Sequence, residues 1–86
     1  MKVSLWAKIM KDTKIINQDF MIVEDFNIKL LDKYLKEICY KLDLETPILL
    51  SKHFRYLDKY NIVKFTKNDF IDYINFDCLI IEKSEN

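Results

Sequence analysis

His53 is the only histidine in the chain, so any imidazole chemistry, proton transfer or metal ligation alike, has to run through it. Its neighbours at helical spacing are Leu49, Leu50, Tyr56 and Leu57, with no Asp, Glu or Cys three or four residues away. A metal site or an acid-base pair would have to be gathered from elsewhere in the fold. Ser4, Ser51 and Ser84 have no histidine at motif spacing, which argues against a hydrolase. Glu24-Asp25 and the pair Asp69 and Asp72 are the paired carboxylates. The first stands at an expected helix entrance, where free amides favour negative charge, and the second could chelate a cation only weakly. The glycine-centred loop of a calcium site is absent. Cys39 and Cys78 lack metal or redox spacing and sit in apolar contexts, where a buried free thiol is expected.

The feature above background is a stripe of Lys52, Arg55 and Lys59, spaced by three and then four residues so that the charges share one helical face. Lys64 and Lys67 extend it, and Tyr56 and His53 lie at its margins. Cations beside planar groups are what phosphate and base recognition use, although three charges give only a weak counterion-release effect. No helix-turn-helix glycine, RNA-binding aromatic motif or zinc-finger spacing accompanies them. A second candidate contact is apolar: Trp6 and Met10 lie on the less buried side of the first expected strand.

The charge balance is zero overall, but it is unevenly laid out. Residues 47–67 carry Lys52, Arg55, Lys59, Lys64 and Lys67 against Asp58, and residues 68–86 carry Lys83 against Asp69, Asp72, Asp77, Glu82 and Glu85. A basic segment and an acidic one could meet within one chain, between copies, or on separate partners. With no glycine anywhere, phosphate loops, dinucleotide fingerprints and glycine-bracketed nucleophile elbows are excluded. Half of the residues are hydrophobic, so the chain can pay its ordering entropy, and 86 residues suffice for one core, a single domain over 1–86. The apolar run from Val3 to Met10 is interrupted by Lys8 and too short for an export signal or a membrane span, which makes a cytoplasmic location the expectation.

These residues must be positioned by the following elements. Val3, Leu5, Ala7 and Ile9 alternate with Lys2, Ser4, Trp6 and Lys8, the period of a strand with one buried face. After a break at 11–14, a second extended run to Val23 predicts an antiparallel hairpin. Ile28, Leu31, Leu35, Ile38 and Leu42 predict an amphipathic helix with Asp25 or Asn27 as cap, fading near Asp43. Thr46-Pro47 predicts the start of a second helix with Leu50, Phe54, Leu57 and Tyr60 inward. Thr66 and Asp69, framed by Phe65 and Phe70, predict the cap of a brief third helix to Ile74, and Cys78–Glu82 a final strand before a frayed tail.

Leu5-Trp6-Ala7-Lys8-Ile9, Thr46-Pro47-Ile48-Leu49-Leu50-Ser51-Lys52-His53 and Asp69-Phe70-Ile71 resemble landmarks of short, uncharacterised bacterial proteins of about this length. That resemblance implies a compact stand-alone domain and transfers no catalytic residue, cofactor or partner.

The expected fold is thus α+β: a β-hairpin, two to three helices on one face of a small antiparallel sheet, and a C-terminal strand, in the order β-β-α-α-α-β. The expected function is non-enzymatic, through protein contacts that include a homodimer, with no cofactor, no metal and no membrane. The alternative is weak, non-specific nucleic-acid binding through Lys52, Arg55 and Lys59.

Overall fold

In the computed structural model, which describes residues 2–85, the first alternating run forms strand β1 (Lys2–Lys11) and the second forms β2 (Lys14–Glu24). They pair antiparallel, closing Lys11 onto Lys14, with a bulge between Ile9 and Met10. The two-residue turn needs positive φ at both positions and takes it at Asp12 (52°) and Thr13 (64°). Without glycine the other left-handed corners fall on Asp25, Asp43 and Asn61.

Asn27 is the cap of the two anticipated, its Oδ1 accepting from the Lys29 amide at 3.0 Å. A single 3-10 turn (Ile28–Leu30) runs into helix α1 (Leu31–Lys41), which buries Leu31, Tyr34, Leu35, Ile38 and Cys39. The helix ends where Asp43 turns left-handed. There the Leu44 amide donates to the Cys39 carbonyl (2.9 Å) and the Asp43 amide to that of Tyr40 (3.1 Å), so the terminal carbonyls are satisfied without a glycine.

The second helix departs from expectation. Helix α2 spans Ser51–Tyr60 and does not begin at Pro47, because the approach to it is extended and bound elsewhere: the Ile48 amide donates to the Asp69 carbonyl at 2.7 Å. With that shift the inward residues become His53 and Leu57, at 1% and 0% exposure, while Leu50 and Tyr60 face water and Phe54 is half-buried. Asn61 turns left-handed and the chain enters strand β3 (Ile62–Thr66), where the sequence left open a continued helix or a packed connection and gave no sign of a strand.

The third helix is corrected to a single 3-10 turn (Lys67–Asp69), since Phe70 returns to extended backbone (φ −110°, ψ 140°). Residues 70–77 then run irregularly and bury Phe70, Ile74 and Phe76, a spacing of four and two that no helical stripe matches. Strand β4 (Cys78–Glu85) is longer than expected, and Ser84 and Glu85 of the supposed tail pair with Ser4 and Val3.

The result is a four-stranded antiparallel sheet in the order β2-β1-β4-β3, with two helices, in the α+β class. Val3, Leu5, Ala7 and Ile9 share one core with the buried stripes of α1 and α2 and with Val63, Phe65, Leu79 and Ile81. The opposite face of the sheet is not covered by either helix. No helix among the described residues is long and apolar enough to cross a membrane.

Candidate binding surface

His53 does not lie on the surface with the lysines of its own helix. It occupies the third position of α2, where its Nδ1 accepts from the Leu50 amide at 2.9 Å and serves the helix start as a capping side chain would. Because Nδ1 is an acceptor, the neutral ring carries its proton on Nε2. That atom is aimed at Asp69 Oδ1, 3.5 Å away, too long for a good hydrogen bond, and among the described residues it is the buried side-chain nitrogen or oxygen with no partner. Phe65 closes the other side, its ring centroid 4.5 Å from the imidazole. Burial pushes the His53 pKa down against the opposing pull of Asp69, with Lys52 lowering it further. Protonation would also have to displace the Leu50 amide from Nδ1.

Asp69 is itself buried and is spent on the backbone, its Oδ2 accepting from the Thr66 amide at 2.9 Å. Sequence spacing could not find this His-Asp approach, because sixteen residues and a strand separate the two side chains. Both side chains of the pair are buried, while Ser51 stands exposed on the surface. The Asp69 and Asp72 pair does not form, since Asp72 is exposed beyond the 3-10 turn. Among the described residues no three His, Cys, Asp or Glu side chains gather around a common point that could hold a metal ion.

Lys52, Arg55, Tyr56 and Lys59 are all exposed on α2. Lys52, Arg55 and Lys59, and likewise Lys64 and Lys67, make no ion pair among the described residues, so the basic segment is not neutralised by the acidic one. Lys8 takes Glu82 at 2.8 Å, and Asp77 accepts from the Asp12 amide. Tyr56 and Tyr60, 6.1 Å apart, stand on the flank of α2 next to β3. With Ile62, Val63, Lys64, Thr66 and Ile80 they line a groove of about 500 Å³, predominantly apolar. Tyr60, expected to face inward, is instead exposed with Ile62 in this groove; their placement on either side of the Asn61 corner depends on β3 being a strand.

Trp6 and Met10 lie on the uncovered sheet face, both half-buried. Trp6 is cross-strand from Phe20, with rings parallel to within 5° and 5.6 Å apart, and its Nε1 donates to Gln18 Oε1 at 2.9 Å. Lys8 Nζ sits 4.3 Å from the indole centroid. Much of the indole is therefore engaged within the chain, whereas the tyrosine groove includes Lys64, which makes no ion pair among the described residues, and Lys59 Nζ lies 5.4 Å from the Tyr60 ring centroid.

No family model, curated protein or solved structure matches this chain, so its reading rests on the geometry just described.

Proposed function

We propose that this protein is a non-enzymatic, cytoplasmic domain that acts by binding another protein through the side of the molecule formed by α2 and β3. One observation carries the reading: exposed Lys52, Arg55, Lys59, Lys64 and Lys67 have no ion-pair partner among the described residues, and Lys64 lines an apolar groove with Tyr56 and Tyr60. Aromatic residues and arginine are the side chains that anchor protein interfaces, and unpaired charge beside them steers an oppositely charged partner. Two buried free thiols agree with a reducing compartment.

The test is recovery of the tagged chain from native cell extract, with and without nuclease, alongside a variant carrying Lys52→Glu, Arg55→Glu and Lys59→Glu. The expected result is a nuclease-resistant protein partner that the variant loses while its thermal unfolding stays unchanged. A second reading, single-stranded nucleic-acid binding, is favoured by Tyr56 and Tyr60 as exposed stacking groups beside cations. Loss of all bound material on nuclease treatment would put that reading first.

A further inference from the structure

We propose that the open edge of β3 accepts an extended acidic segment of a partner protein as a fifth strand, lying in the groove beside α2; this deepens the protein-binding reading above and rests on it. The backbone carries the argument. In an antiparallel pair, alternate residues turn their N–H and C=O toward the neighbour and the others turn them away. The Lys83 amide donates to the Asn61 carbonyl at 2.8 Å, which sets the phase: Val63 and Phe65 address β4, and Ile62, Lys64 and Thr66 address the outside. The Thr66 amide is taken by Asp69. By that phase the N–H and C=O groups of Ile62 and Lys64 point away from the ladder, and among the described residues no turn, loop or side-chain hydrogen bond reaches them.

The other edge of the sheet is treated differently. On β2 the Gln18 amide is covered by Asn17 Oδ1 (2.9 Å), the Phe20 amide by Asp19 Oδ1 (2.8 Å), and the Phe20 carbonyl by Lys41 Nζ (3.1 Å). Side chains thus occupy the outward groups at Gln18 and Phe20, in the middle of that edge, a common protection against edge-to-edge association. The β3 edge has such cover only at the Thr66 amide among the described residues and faces the Tyr56 and Tyr60 groove.

The chemistry of the occupant follows. A strand laid on β3 completes the ladder at Ile62 and Lys64, and every second side chain of it turns to the α2 side of the sheet, toward Tyr56 and Tyr60, which selects apolar residues there. The intervening side chains lie over the opposite face beside exposed Lys64, which selects Asp or Glu. Nucleic acid has no alternating amides and carbonyls with which to extend the ladder.

The experiment is selection of a displayed random octapeptide library on the full chain, followed by synthesis of the enriched peptide. Enriched sequences are expected to alternate acidic with apolar residues. Their binding should slow amide hydrogen exchange at Ile62 and Lys64 by about tenfold or more, and weaken by about tenfold or more in Lys64→Pro. That substitution removes an outward amide and no ladder bond, the one setting in which a strand tolerates proline. If the variant does not fold, exchange protection in the unaltered chain decides alone. No enriched peptide, or peptides that leave both amides unprotected or bind Lys64→Pro as tightly, overturns strand addition. Should Lys64→Pro still retain the extract's protein partner while the triple charge reversal loses it, the edge proposal falls and the protein-binding reading stands. Loss of the partner to nuclease removes both.

Discussion

Nε2 of His53 points at Oδ1 of Asp69 across 3.5 Å, while Nδ1 of the same ring holds the Leu50 amide at 2.9 Å. One buried imidazole thereby joins the start of α2 to the turn that follows β3. The imidazole is held neutral, because the Leu50 amide occupies the nitrogen that a second proton would need.

Stability should fall with acid through this ring. Its folded pKa lies below the free value of 6.5, so below about that pH the unfolded chain binds a proton that the folded ring refuses. The contribution is fully present above the unfolded value and is lost as pH falls toward the folded one. Urea midpoints at about pH 7.5 and about pH 5.5 should show the drop, and His53→Gln should reduce the difference between them. An equal pH dependence in the variant would assign the effect to other groups.

Asp69→Ala should destabilise by about 1–3 kcal/mol, because the part-buried Thr66 amide loses its acceptor. Asp69→Asn keeps an oxygen at that position and should lose less. Chemical denaturation of the two variants measures the contrast, which is large against the ~5–15 kcal/mol of a domain.

Thr13→Gly should raise stability by about 0.5–1 kcal/mol. A β-branched residue sits at φ 64° in the hairpin turn, where its Cβ is crowded and glycine's is absent. Asp-Gly is also the pair that this turn prefers. A higher thermal midpoint is the expected readout; no change would mean that the Thr13 hydroxyl, 2.6 Å from the Asp12 carbonyl, offsets the crowding.

Neither thiol should react in the native protein at mildly alkaline pH. Burial pushes Cys39 up to about 12 and raises Cys78 as well, and the thiolate is the reactive form. A colorimetric thiol reagent should report both cysteines in denaturant and neither without it. Rapid native labelling would indicate local opening of α1 or β4.

Local signals alone determined the hairpin, α1, the choice of cap to Asp25 or Asn27, the buried face of β1 and the exposure of Lys52, Arg55 and Lys59. Each rests on a period of two or of 3.6 residues, or on a cap whose partner is two or three residues away. The start of α2 and the nature of residues 62–74 were not legible, because they hang on hydrogen bonds between remote segments. Ile48 is held extended by the Asp69 carbonyl, and Ile62–Thr66 becomes a strand only because β4, more than ten residues on, supplies its ladder. That pairing turned a predicted three-stranded sheet into four and placed Ile62 beside Tyr60. It also drew His53 inward to Asp69, away from the basic face on which helical spacing alone had put it. Side-chain type and spacing thus decided which faces carry charge; the tertiary pairing decided which histidine nitrogen is spent, which edge is capped and which is left open, since backbone donors and acceptors across a sheet carry no mark in the sequence.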